Sequence, residues 1–153
     1  MTEDLHSSLA KGLQSFFYDI PFNRVIGLEL TYADLDRVEL RFDSKPELVG
    51  NYIYGILHGG VISAALDVAG GATAVVGAFQ RMKDLDERER NRTLSKIGTI
   101  DIRVDYLRPG KGQWFSVTSR PLRTGNKVAV ARMELVNQDG LLIAVGSGTY
   151  LCG

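Results

Sequence analysis

The chain has 153 residues, 44% of them hydrophobic and 24% charged, and its 18 basic and 18 acidic side chains cancel to a net charge of zero. That length predicts one domain, 1–153, able to bury a core without disulfides or metal. The charge balance excludes the basic excess of a dedicated nucleic-acid binder and the acidic bias of a disordered chain. One cysteine, Cys152, cannot form an internal disulfide, and two histidines, His6 and His58, do not make a His-built metal site. No metal and no cofactor are expected.

Met1-Thr2-Glu3-Asp4 places acid where an export signal carries Lys or Arg, so a cytoplasmic protein is expected. Residues 2–18 read as an amphipathic helix, because Leu5, Leu9, Leu13, Phe16 and Phe17 recur every three to four positions. Pro21 is expected to end this N-terminal helical unit of residues 1–20. From Val25 the period changes to two. Leu28, Leu30 and Tyr32, a turn at Ala33-Asp34-Leu35-Asp36, then Val38, Leu40 and Phe42 predict a hairpin with one wet face. Pro46 and Gly50 mark a loop running to about Leu57.

An apolar helix follows, from Gly59 or Gly60 to Phe79. Val61–Phe79 is long enough for a membrane span, but it is rich in Ala, Gly and Val and carries Asp67 near its middle. A carboxylate there costs ~2.5–3.5 kcal/mol on insertion scales, which favours a buried helix of a soluble protein over a membrane span. Residues 81–95 form a charge-dense, solvated insertion. The remainder reads as four strands. Ile100, Ile102, Val104 and Tyr106 alternate strictly with acidic and basic neighbours, and turns at Arg108–Gly112, Thr124–Lys127 and Asn137–Gly140 separate the next three. Four strands with short turns predict an antiparallel meander. The expected class is α+β: a curved antiparallel sheet of five to six strands wrapped around one long central helix, plus the N-terminal helix.

The chemistry concentrates in Gly55-Ile56-Leu57-His58-Gly59-Gly60 and in Asp67. The first N–H groups of a helix lack intrahelical partners and carry the positive end of its dipole. Glycine lets a ligand approach that backbone, which suits a carbonyl oxygen turning into an oxyanion. A lone carboxylate on an apolar helix must be paired or functional. Asp67 lies eight residues beyond Gly59, ~12 Å along a helix axis. One acyl carbon cannot touch both within one chain. If both act on one carbonyl, Asp67 comes from a second subunit, and two antiparallel helices about a twofold give two shared sites per dimer. Ser63 is a weak rival nucleophile, since its context is not the Gly-x-Ser-x-Gly elbow.

His58-Gly59-Gly60 followed by Asp67, with Asp105-Tyr106-Leu107-Arg108-Pro109 in the strands, resembles the PaaI-type hotdog thioesterases. The wider run Asn51–Gly60, with Asp67-Val68-Ala69-Gly70-Gly71, is most similar to a YigI-like branch that hydrolyses medium- to long-chain acyl-CoA. The resemblance covers residues 20–151 and implies a hotdog fold acting as a dimer or dimer of dimers in fatty acid metabolism. It implies Asp67 as general base or nucleophile, Gly59 as the N–H donor to the thioester carbonyl, and His58 as an aid in holding carbonyl or water. His58 also reads as a plain helix cap. Asn51, one residue further from the histidine than in some relatives, matches a water-orienting asparagine, and Thr99 matches a residue assisting the water. Gly60 belongs to the same substrate-binding turn. Arg108, Lys111, Arg123 and Lys127 are candidates for the CoA phosphates. A non-catalytic acyl-CoA sensor and a hotdog hydratase or dehydratase are the competing readings.

Overall fold

In the computed structural model, residues 11–14 and 17–153 are described. Residues 11–14 and 17–19 are helical. Leu13 and Phe17 of the expected apolar stripe are buried, whereas Leu5, Leu9, Phe16 and His6 lie outside the described residues. The first helix ends before Pro21 as expected, with Ile20 extended; Pro21 does more than stop it. It opens a second short helix, α1 (Pro21–Ile26), where a missing N–H and a fixed φ suit the first turn. Gly27, with φ 80°, ends it in the left-handed conformation that glycine adopts freely. The switch to period two therefore falls later than Val25. Strand β1 (Glu29–Ala33) pairs with β2 (Val38–Asp43) as the expected hairpin. Its turn is fastened by Asp34, whose Oδ1 accepts from the N–H groups of Asp36 and Arg37, both at 2.8 Å.

The stretch expected to be a loop carries structure of its own. A 3₁₀ turn (Pro46–Leu48) leads into a small hairpin, β3 (Val49–Asn51) with β4 (Ile56–Leu57). The long helix, α2 (Gly59–Arg81), then crosses the sheet. By length and composition it could span a membrane, but most of its apolar window is buried inside the protein. Helix α3 (Glu87–Leu94) buries none of its residues and starts with a reciprocal capping box between Asp86 and Glu89. Four long strands complete the chain: β5 (Gly98–Tyr106), β6 (Trp114–Thr124), β7 (Val128–Asn137) and β8 (Leu142–Leu151).

All pairings are antiparallel, and the six-stranded order is β1-β2-β6-β7-β8-β5. The last four strands are thus not one meander. Strand β6 is bonded on both edges, by β2 and β7, so β5 takes the free edge of β8. The sheet wraps α2, which touches β2, β5, β6, β7 and β8. Small residues on α2 permit this closeness. The Tyr150 phenol occupies the space where a Cβ on Gly70 would stand, and a Cβ on Gly148 of β8 would lie 2.5 Å from the same oxygen. Thr73, buried in α2, donates to Ala69 O at 3.1 Å and accepts from the Ser119 hydroxyl at 2.6 Å, so the polar atoms against the sheet are paired.

One departure from strict alternation matters for the site. The β5–β8 register slips between Thr99 and Asp101. This bulge leaves Ile100 55% exposed and puts Thr99 directly opposite the buried Tyr150. Directly opposed residues share a sheet face, so Thr99 looks toward α2, as Ile102 does three positions later.

Candidate active site

The entrance of α2 is built around His58. Its imidazole caps the helix, with Nδ1 accepting from Gly60 N–H at 2.8 Å. In the neutral ring this places the proton on Nε2, which remains available as a donor. A Cβ on Gly60 would lie 2.9 Å from Nδ1, and a Cβ on Gly50 2.7 Å from the His58 Cα. Both glycines are what let the cap form. Val61 N–H bonds to His58 O at 3.0 Å. Gly59 N–H has no hydrogen-bond partner among the described residues, so the positive end of α2 presents one free donor. Tyr106 of β5 packs over Gly59 and donates its hydroxyl to Gly59 O at 3.1 Å.

The second half of the site sits two turns further along α2. Asp67 is half-buried, and Thr99 donates its hydroxyl to Asp67 Oδ1 at 2.9 Å. Tyr150, which the sequence reading did not single out, donates to the backbone oxygen of Asp67 at 3.3 Å. Burial first, then the nearby Asp67 charge and the hydrogen bond to that residue, push the Tyr150 phenol far above its ordinary pKa. It therefore stays a neutral donor. Its signal in the sequence was Gly148 within a strand, where a missing side chain marks a close approach. Beside Asp67 and Thr99 opens a cleft of ≈ 190 Å³ whose other walls are mostly apolar.

The remaining sequence-selected residues divide by location. Asn51 stands beside Gly50 near His58, and its Oδ1 accepts from Ile53 and Tyr54 N–H at 3.2 and 3.4 Å, so it shapes the β3–β4 turn. Arg108 and Lys111 lie in the turn next to the helix entrance: Leu57 N–H bonds to Gly110 O at 2.9 Å, and Arg108 reaches Leu142 O at 2.9 Å. Arg123 and Lys127 flank Thr124, which packs on Gly77 at the opposite end of α2. The four basic candidates are not one cluster in this chain.

A curved antiparallel sheet around one central helix, with a carboxylate on that helix and a free N–H at its start, matches a family whose members cleave thioesters. The chain belongs to the thioesterase superfamily: the family model of that description matches residues 54–144, which include His58, Gly59, Asp67 and Thr99. It is 51% identical to the medium/long-chain acyl-CoA thioesterase YigI of Salmonella typhimurium over 92% of this chain and 90% of that protein. It is 49% identical to the same-named enzyme of Escherichia coli over the same shares. Among solved structures, a Shewanella oneidensis protein related to the thioesterase superfamily superposes with TM-score 0.90 at 45% identity, covering 97% of this chain and 98% of that one. The Escherichia coli PaaI protein shares the fold, with TM-score 0.76 at 15% identity over 97% and 96% of the two chains.

Proposed function

We propose that this chain hydrolyses medium- to long-chain acyl-CoA thioesters to the free acid and CoA, in the cytoplasm, at sites shared between two subunits. The observation that carries the reading is Asp67, tied to Thr99 at 2.9 Å at the edge of an apolar cleft, in a chain about half identical to enzymes named for that activity. A thioester is already activated, so one carboxylate and one oxyanion donor suffice without a Ser-His-Asp triad. In this reading Gly59 N–H and His58 Nε2–H hold the carbonyl oxygen. Asp67 takes a proton from the attacking water and the C–S bond breaks to release CoA, which takes up the proton, or Asp67 attacks the carbonyl carbon itself, expelling CoA and leaving a mixed anhydride that water hydrolyses. Thr99 fixes the carboxylate rotamer, and Arg108 and Lys111 receive CoA phosphates near the helix entrance.

Strand β5 supports the shared site. It lies at the sheet edge and carries Thr99 near one end, bonded to Asp67, and Tyr106 at the other, bonded to Gly59. It therefore runs antiparallel to α2. Pairing β5 with its own copy about a twofold through its middle sets Thr99 and Asp67 of one chain beside Gly59 of the partner subunit. The exposed apolar residues Tyr52, Ile53 and Tyr54 of the β3–β4 turn, and Ile100, Tyr106 and Leu107 of the edge, supply apolar surface for that contact. In this reading the dimer is the working unit, and a dimer of dimers repeats its two sites.

The test is thiol release from a panel of acyl-CoAs, from short to long, by the wild type and by Asp67→Ala. Turnover on medium and long chains is expected for the wild type and its abolition in the variant, which stays folded by circular dichroism. Unchanged turnover in the variant overturns the assignment, and sedimentation showing an active monomer overturns the shared site.

A further inference from the structure

The cleft beside Asp67 has two walls of different origin. One is a face of α2: Val68, Ala72 and Val75 recur at spacings of three and four, beginning one residue after Asp67. The other is supplied by Leu13, Phe17 and Phe22 from the N-terminal segment. The first wall lies within the residues matched by the family model, 54–144, and the second lies outside them. The cleft is thus made by α2 together with the N-terminal segment.

We infer that this cleft is the binding site for a linear aliphatic acyl chain and that the N-terminal wall sets the preferred chain length. The inference rests on the thioesterase reading for its substrate. Asp67 and Val75 are eight residues apart, ~12 Å along the helix. An extended chain of roughly ten carbon–carbon bonds of ~1.5 Å, laid zigzag, covers that distance. An acyl group whose carbonyl lies at Asp67 therefore runs along Val68, Ala72 and Val75 with its methylenes held between two apolar faces. Short chains touch only the Asp67 end and leave the N-terminal wall uncontacted. Each further methylene gains contact with Phe17 and Phe22 until the cleft is filled. Phe22 is 51% exposed before substrate arrives, as expected of a side chain that waits for an apolar partner. Asp67, Thr99 and Tyr150 gather at the reacting end of the cleft, and Asn23 is the one amide in the N-terminal wall, its nitrogen donating to Phe17 O at 2.9 Å.

Two variants test the site from opposite walls. Gly71 faces the cleft from α2, and a Cβ there would meet nothing closer than Tyr150 Cε1 at 3.8 Å. A Cβ at this position is therefore accommodated, and the rest of the side chain in Gly71→Leu projects into the path of the chain, with melting temperature measured to check the fold. Phe22→Ala removes apolar contact on a half-exposed side chain. Both are expected to lower kcat/KM on dodecanoyl-CoA about tenfold and leave butyryl-CoA within twofold of wild type. Binding of the non-hydrolysable thioethers dodecyl-CoA and butyl-CoA, followed by calorimetry, reads the same site without chemistry. The dodecyl analogue is expected to lose about tenfold in affinity in each variant and the butyl analogue to be unaffected. Equal losses on both lengths, or none on either, overturn the inference. A wild type that binds dodecyl-CoA in this length-dependent way but releases no thiol supports the cleft and overturns only the hydrolytic reading.

Discussion

Thr99 offers a sharp test of how the carboxylate is held. Its hydroxyl donates to Asp67 Oδ1 at 2.9 Å, and the bulge in β5 exists where that contact is made. Thr99→Val keeps the branched shape and deletes the donor. A hydrogen bond to a charged group contributes about 1.5–3 kcal/mol. Thr99 is solvent-exposed, so water competes for the carboxylate and the low end applies. About 1.4 kcal/mol corresponds to a tenfold change, so kcat/KM on dodecanoyl-CoA should fall roughly tenfold, mostly in kcat. Thr99→Ser restores the hydroxyl and should recover most of the rate. The assay is thiol release at matched protein concentration, with melting temperature measured alongside. If Thr99→Val runs at the wild-type rate, or Ser is as slow as Val, Thr99 does not hold Asp67 during turnover.

Two further outcomes follow from the same geometry. Gly60→Ala puts a Cβ 2.9 Å from His58 Nδ1; losing the cap costs ~0.5–2 kcal/mol, while alanine regains up to ~1 kcal/mol of helix propensity. The melting temperature should barely move while kcat/KM drops about tenfold, and full activity would show that His58 works off its cap. Tyr150 gives an alkaline signature, because its phenol is held protonated far above the ordinary range by burial and by Asp67. Above about pH 10 the unfolded chain releases a proton that the native state keeps, so stability present below that pH falls as pH rises, by up to ~1.4 kcal/mol per unit. Urea unfolding from pH 9 to 11 should show Tyr150→Phe with one proton less of this dependence, and parallel curves would refute the coupling.

The central helix and the hairpins were legible because they depend on local pattern. The Gly59-Gly60 entrance, the unbroken apolar run to Phe79 and the turn at Asp34 each announce themselves within a few residues. The eight-residue gap from Gly59 to Asp67 is likewise local, and the proposal of a second chain rests on it. What escaped the sequence depends on contacts between distant segments. Periodicity cannot say that β5 joins β8 rather than β6, because either edge accepts the same alternation. The bulge at Ile100 was hidden for the same reason: the residues alternate, but the backbone does not follow them. Tyr150 was passed over because a tyrosine in a strand is ordinary, and only the glycines on two separate elements that make room for it reveal its place. Pro21 was rightly placed at the end of the first helix, but the helix it opens was missed, since a proline that stops one helix equally suits the first turn of the next. The split of the basic residues, with Arg108 and Lys111 at one end of α2 and Arg123 and Lys127 at the other, required the sheet order to be known.

The bulge in β5 also sets two demands against each other. Regular pairing would bury Ile100 and turn Thr99 outward, and full burial of an isoleucine contributes about 1.5–3 kcal/mol. The strand instead leaves Ile100 55% exposed and presents Thr99 to Asp67. Ile100 is thus the surplus residue, and an indel there is a different event from a substitution. Deleting Ile100 joins Thr99 to Asp101 in unbroken phase and keeps the hydroxyl on the carboxylate, whereas inserting one residue before Ile102 rotates the hydroxyl away with every side chain of the site still encoded. Activity on this scaffold can therefore be lost through reading phase alone.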